Sequence, residues 1–90
     1  MSRYNIVVKG KVQGVGFRYF VQSIANTMKL SGWVKNLDNG DVQLQVQQEY
    51  FFLEELLNKL KKGNGFSKVE KIEYTELNEI IAEKSFKITY

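Results

Sequence analysis

The chain has 90 residues, the size of one domain, and 43% of them are hydrophobic, which is enough for a single compact core. It contains no cysteine and no histidine, so disulfides, thiolate metal sites and histidine bases are excluded. Thirteen basic and ten acidic residues leave a net charge of +3, which suits an anionic small molecule and is too weak to indicate nucleic acid.

The first part of the chain predicts a strand, a glycine-rich loop and a helix. Apolar residues alternate over residues 4–9, as they do in a strand. Over residues 17–29 an apolar stripe recurs at helical spacing, and Ser31-Gly32 is expected to end this helix. The stripe consists of Phe20, Val21, Ile24, Ala25 and Met28.

The second part predicts a hairpin, a helix and two more strands. Strands over residues 33–37 and 42–47 flank a turn whose Asn39-Gly40 pair favours a hairpin. Glutamines alternate with apolar residues in the second of these strands, and we interpret the glutamine face as exposed to solvent. The later elements are a helix over 50–62, a strand over 69–76, a loop over 77–84, and a short terminal strand carrying Phe86, Ile88 and Tyr90.

This order of elements predicts an α+β fold of the ferredoxin-like, split βαβ type (βαββαβ). In that plan an antiparallel sheet carries two helices on one face, and here a short C-terminal strand is added. Asn36 and Arg18 are then expected at the same edge of the sheet. We expect four aromatic residues to lie in the core, namely Phe17, Phe20, Trp33 and Tyr90.

The glycine-rich stretch over residues 10–18 is the most informative part of the sequence. Glycines allow positive φ and a close approach to a ligand, and consecutive amides in such a loop form an anion nest. The helix that follows adds unpaired N–H groups and its positive dipole end, and Arg18 adds a planar cation suited to phosphate oxygens. The spacing fits neither the P-loop nor the dinucleotide-binding fingerprint. On spacing alone, a phosphate cradle and an ordinary glycine-rich turn with a surface arginine both remain open.

Three segments resemble the acylphosphatase family. GKVQGVGFR (10–18) resembles the family's first signature, GWVKNLDNGDV (32–42) resembles its second, and FKITY (86–90) is similar to its C-terminal strand. The resemblance therefore covers essentially the whole chain. It implies the same fold and the hydrolysis of acyl phosphates to a carboxylate and inorganic phosphate. One departure is Gln48, which stands where the second signature usually continues to a glycine and concerns the geometry after the third strand.

The resemblance also implies the site residues. The family's catalytic arginine and asparagine match Arg18 and Asn36, of which the first would hold the phosphoryl oxygens and the second would orient the attacking water. We expect inorganic phosphate or sulfate to bind the same loop and to inhibit competitively. The expected phosphate-binding residues are Gln13, Gly14, Val15, Gly16, Phe17 and Arg18.

Two other functions are open at this point. Similar domains begin larger carbamoyl-transfer maturation proteins, although a chain of 90 residues favours a stand-alone enzyme. The other alternative is a non-catalytic ferredoxin-like module that binds an anion or RNA. RNA-binding sheets of this topology display aromatic residues on the open face, where this chain offers glutamines, so RNA is disfavoured.

We expect one cytoplasmic domain over residues 1–90, acting as a monomer on a small-molecule acyl phosphate. No apolar run reaches the length that crosses a membrane, and residues 1–9 lack the apolar core of a signal peptide. No metal and no cofactor are expected, because the chain has neither histidine nor cysteine. Neither a membrane nor a nucleic acid is an expected partner.

Overall fold

The computed structural model describes residues 1–49 and 53–90. The first residues of the second predicted helix, 50–52, lie outside the described residues. The elements in chain order are β1 (Ser2–Lys11), α1 (Phe17–Thr27), β2 (Ser31–Asn36), β3 (Val42–Gln48), α2 (Leu53–Lys62), β4 (Lys68–Leu77) and β5 (Phe86–Ile88). The strands run one or two residues beyond most of their predicted bounds, because regular pairing with neighbours extends past the apolar alternation.

The strands form a sheet in the order β4-β1-β3-β2-β5. β3 pairs antiparallel with both β1 and β2, so β1 and β2 run parallel to each other, as the split βαβ plan requires. The predicted α+β fold is confirmed. β5 pairs with β2 in parallel and makes the sheet mixed, because the chain passes over the sheet before β5 begins. β4 and β5 are the two edge strands.

The core lies between one face of the sheet and the two helices. Alternate residues of the central strands point into it, including Ile6, Leu44 and Val34, each with 0% of its surface exposed. α1 adds Phe17 and Val21, together with its later residues Ile24 and Ala25, and α2 adds Leu56 and Leu60. Both helices therefore pack on the same face, as the apolar stripes predict.

The other face of the sheet is partly covered, and the prediction that its glutamines face solvent is wrong for Gln47, which is 5% exposed. The backbone of Ile81 donates to and accepts from the Gln47 side chain over 3.0 and 2.8 Å. Arg3, which is completely buried, forms an ion pair with Glu83 and hydrogen bonds with Gln45 and Gln47. The segment 78–85 thus lies across this face, held by long-range contacts that periodicity does not reveal.

The end of α1 differs from its prediction. The helix stops before Ser31-Gly32, because Lys29 takes a left-handed conformation with φ of 58°. The N–H of Leu30 donates to the carbonyl of Ala25, and that of Lys29 donates to the carbonyl of Asn26. This pair of bonds is the Schellman ending, in which the left-handed position is usually occupied by glycine.

Candidate active site

The glycine loop leaves β1 and enters α1 with two left-handed residues. Gly14 and Gly16 have φ of 73° and 75°, a conformation that residues with a side chain rarely adopt. A Cβ atom at Gly14 would meet no described atom within 4 Å, so glycine is needed there for its backbone conformation and not for space. Gly16 is the N-cap of α1, and no described side chain caps this helix. Its first N–H groups therefore remain open to an anion.

The expected phosphate-binding residues contribute in different ways. Gly14 and Gly16 are exposed, so their amides are accessible, whereas the Phe17 side chain is 1% exposed and belongs to the core. Only the backbone of Phe17 is thus available to a ligand. The Gln13 side chain is also engaged, since its Nε2 donates to the carbonyl oxygens of Leu37 and Asp41 over 2.7 and 2.9 Å. It fastens the glycine loop to the turn between β2 and β3.

Arg18 lies in the first turn of α1, and its side chain contacts residues 89 and 90. Its Nη1 donates to the carbonyl of Thr89 over 3.4 Å, and its guanidinium carbon lies 4.8 Å from the centre of the Tyr90 ring. The expectation that Tyr90 belongs to the core is wrong, since 90% of it is exposed. β5 ends at Ile88, so Tyr90 lies past the sheet, where its ring supports the arginine.

Asn36 is the last residue of β2 and pairs with Val42 of β3, which pairs in turn with Val8 of β1. Asn36 therefore lies level with the end of β1 from which the glycine loop departs. Its Oδ1 is buried and has no hydrogen-bond partner within residues 1–49 and 53–90. A buried carbonyl oxygen without a partner is costly, so the side-chain amide of Asn36 lacks a hydrogen bond that a buried asparagine usually makes.

Lys9, a cation near the end of β1, is paired with carboxylates. Lys9 donates to Asp41 over 2.9 Å and lies 3.7 Å from Glu73. The Asp41 carboxylate, through its hydrogen bond and its charge, raises the pKa of Lys9. Lys9 is thus occupied by carboxylates, whereas Arg18 contacts the carbonyl of Thr89 and the ring of Tyr90. Arg18 is the better placed of the two cations to receive an anion.

Sequence reasoning missed three residues that touch this site: Asn64, Thr89 and Tyr90. Asn64 donates from Nδ2 to the carbonyl of Val15 over 2.8 Å. The only sequence signal for Asn64 was the Gly63-Asn64-Gly65 pattern, which predicts the end of α2 and nothing about the loop. All three reach the site through the fold, from 49 or more residues away in the chain.

The described residues contain no group of three or more histidines, cysteines, aspartates or glutamates close enough together to hold a metal ion. No helix in the described part of the chain is both long enough and apolar enough to cross a membrane.

The ferredoxin-like fold thus brings a glycine loop, an arginine and an asparagine with an unpaired side-chain oxygen to one end of the sheet, an arrangement suited to a phosphate-binding protein. Comparison with known proteins identifies the family. The Acylphosphatase family model matches residues 4–88. The acylphosphatase of Clostridium beijerinckii is 47% identical over 90 residues, with 100% of both chains covered. The acylphosphatase of Clostridium acetobutylicum is 48% identical, covering 100% of this chain and 99% of the relative.

The structure agrees with the sequence match. The crystal structure of acylphosphatase from Bacillus subtilis superposes with a TM-score of 0.94 at 44% identity, and all of both chains is covered. The chain belongs to the acylphosphatase family. Its activity is accordingly that of an acylphosphate phosphohydrolase, and the alternative of a non-catalytic binding module finds no support among these relatives.

Proposed function

We propose that this chain hydrolyses small-molecule acyl phosphates at the glycine loop, with Arg18 and Asn36 as its catalytic residues. The observation that carries the proposal is the loop itself, where two left-handed glycines lead into a helix that no described side chain caps and whose second residue is Arg18. The amides of residues 13–18 and the guanidinium hold the peripheral oxygens of the phosphoryl group. Asn36 lies at the same end of the sheet, and its Oδ1 has no hydrogen-bond partner among the described residues, so a rotation of the side chain would present this oxygen to a water molecule in the site.

The reaction follows from these positions. Oδ1 of Asn36 accepts a hydrogen bond from a water molecule and orients its lone pair towards phosphorus. As the new P–O bond forms, the bond between phosphorus and the acyl oxygen breaks, and the acyl group leaves as a carboxylate. The proton of the water passes to the phosphate product or to solvent. A carboxylate leaves without protonation, so positioning and charge stabilisation supply most of the catalysis.

The enzyme is proposed to need no metal. The experiment is the hydrolysis of acetyl phosphate or benzoyl phosphate, measured with and without excess chelator. We expect the same turnover in both conditions, because Arg18 and the loop amides supply the positive potential that a metal would otherwise provide. Loss of turnover with chelator, restored by a divalent ion, would contradict this proposal. An absence of hydrolysis in every condition would contradict the proposed activity as a whole.

Inorganic phosphate and sulfate are proposed to inhibit competitively by occupying the loop. A titration with phosphate should move the amide chemical shifts of residues 13–18. The competing cationic surface is the last turn of α2, where Lys59, Lys61 and Lys62 cluster. Shifts confined to that turn would place the anion there, and the loop would then not be the phosphate site.

The chain is further proposed to act as a cytoplasmic monomer, as a single domain over residues 1–90 and without nucleic acid. Support comes from the site, since the glycine loop, Arg18 and Asn36 all belong to one chain and lie at the same end of strands β1 and β2. Light scattering coupled to size exclusion should return the mass of one chain at concentrations where turnover is measured. A dimer mass under those conditions would contradict the monomer.

A further inference from the structure

The turn after α2 contacts the glycine loop at its centre. Asn64 lies in this turn, and its Nδ2 donates to the carbonyl oxygen of Val15 over 2.8 Å. Val15 stands between Gly14 and Gly16, the two left-handed residues of the loop. A Cβ atom at Gly16 would have the same Nδ2 as its nearest neighbour, at 3.9 Å. Asn64 therefore lies against the part of the loop that has the greatest conformational freedom.

The geometry of the peptide bond gives this contact a consequence. The carbonyl of Val15 and the N–H of Gly16 belong to one trans peptide unit, in which the two groups point in opposite directions. A hydrogen bond that holds the Val15 carbonyl outward, towards Asn64, also fixes the direction of the Gly16 N–H, away from Asn64. Because glycine adopts positive and negative φ with similar ease, this peptide unit has a low intrinsic barrier to reorientation. A reversed unit would present a carbonyl oxygen to the bound anion.

Asn64 is itself held in one orientation. Its Oδ1 accepts hydrogen bonds from the backbone N–H groups of Phe66 and Ser67, both over 3.0 Å. Its own backbone N–H donates to the Ser67 hydroxyl over 3.3 Å. Because the carbonyl end of the side chain is committed to two donors, the amide nitrogen must face Val15. The turn thus presents a fixed donor to the loop.

We propose that Asn64 is a positioning residue for phosphate binding, which acts by fixing the Val15–Gly16 peptide so that the Gly16 N–H points into the anion site. This inference rests on the proposed function of the loop. It assigns to the turn after α2 a role in catalysis, although none of its residues needs to touch the substrate. Asn64 bonds to Val15 through its side-chain nitrogen and stabilises its own turn through its side-chain oxygen. Variants can therefore remove one of these interactions and keep the other.

Three variants separate the roles. Asn64→Ala removes both the loop contact and the turn contacts. Asn64→Asp keeps oxygen acceptors for Phe66 and Ser67 but places an oxygen, in place of the donor, against the Val15 carbonyl. Ser67→Ala is the matched control, since it removes a turn hydrogen bond and leaves the contact with Val15 intact. For each variant we would measure phosphate affinity, kcat/KM for acetyl phosphate, Tm, and the phosphate-induced shift of the Gly16 amide.

In Asn64→Ala we expect phosphate affinity and kcat/KM to fall together by about five- to tenfold, the usual effect of one lost hydrogen bond. The shift of the Gly16 amide on phosphate addition should shrink. In Asn64→Asp, Tm should recover towards the parent while phosphate affinity stays as low as in the alanine variant. This loss should persist at raised salt concentration, where a long-range charge effect is screened. Ser67→Ala should lower Tm and bind phosphate as the parent does.

Two results would overturn the inference alone: parental phosphate affinity in Asn64→Ala, or recovery of affinity together with Tm in Asn64→Asp. Either would show that Asn64 serves only its own turn. A parent protein whose loop amides do not respond to phosphate would instead overturn the proposed function, and this inference with it.

Discussion

Arg18 and Asn36 are proposed to perform separable tasks, and single substitutions can separate them. Arg18 is proposed to contact the phosphoryl group both before and during the reaction, so Arg18→Ala should weaken phosphate binding and turnover together. Arg18→Lys should restore little, because lysine keeps the charge but lacks the planar fork that matches phosphate oxygens. Phosphate affinity and steady-state kinetics test both variants. Parental activity in Arg18→Lys would show that charge alone is sufficient.

Asn36→Ala should lower turnover and leave phosphate affinity nearly unchanged, because Asn36 is assigned to the water and not to the phosphate. Losing one positioned polar group typically costs on the order of a hundredfold in rate, about 3 kcal/mol. Its Oδ1 has no partner in the described part of the protein, so the substitution removes no hydrogen bond that this oxygen makes there, and Tm serves as the control. The assignment is wrong if turnover stays parental, or if phosphate binding falls as far as in Arg18→Ala.

Candidate site residues can be predicted from the sequence only where the residue lies within a local signature. Arg18 and Asn36 are predicted site residues because each lies within a recognisable block of the sequence. The side chain of Gln13, in contrast, turns away from the cradle towards Leu37 and Asp41, and Asn64 and Tyr90 arrive from distant parts of the chain. Such contacts depend on how strands register against one another, which no short motif encodes.

At the level of elements, the Schellman ending of α1 offers a stabilising change. Lys29 holds a left-handed conformation that costs a residue with a side chain roughly 1 kcal/mol relative to glycine. Lys29→Gly should therefore raise the free energy of unfolding by about 0.5 kcal/mol, after the greater entropy of glycine in the unfolded chain is subtracted. Denaturant unfolding with an unchanged m-value would test this. Lys29→Ala, which gains no backbone freedom, is the control and should give no increase.

Periodicity was sufficient to predict the number, type and order of the described elements, because one apolar face of each helix and inner strand packs on a common core. Periodicity was not sufficient to predict what covers the face of the sheet opposite the helices. The glutamines of β3 alternate as solvent-facing residues do, yet the segment 78–85 covers Gln47. That segment has poor periodicity of its own, so its position depends on a few specific polar contacts and on the buried Arg3.

For the molecule as a whole, the ion pair between Arg3 and Glu83 should be a major determinant of stability. The Arg3 side chain is fully buried, and 20% of the Glu83 side-chain surface is exposed. Arg3→Ala leaves a carboxylate and two glutamines without their partner, and we expect a loss of about 3 kcal/mol. For a domain of this size, that corresponds to a fall in Tm of roughly 10–20 °C.

The double variant Arg3→Met/Glu83→Leu should recover much of that loss, because it removes both charges together. Turnover at low temperature should remain parental in both variants, since Arg3 lies near the start of β1 and the glycine loop follows its end. A double variant as unstable as the single one would show that the hydrogen bonds to Gln45 and Gln47, and not the charge pairing, hold the segment.

The position of β4 at the edge of the sheet has a consequence for how copies of the chain meet. An edge strand carries unpaired backbone groups that can recruit an identical strand and begin a fibril. Along Lys68–Leu77 the side chains include lysines at 68 and 71 and glutamates at 70, 73 and 76. In copies stacked in register, each of these charged side chains would lie next to the same charged side chain of the neighbouring copy, and the two would repel. The opposite edge, β5, is only three residues long. Both edges thus discourage self-templated growth, which protects the chain when heat loosens its core.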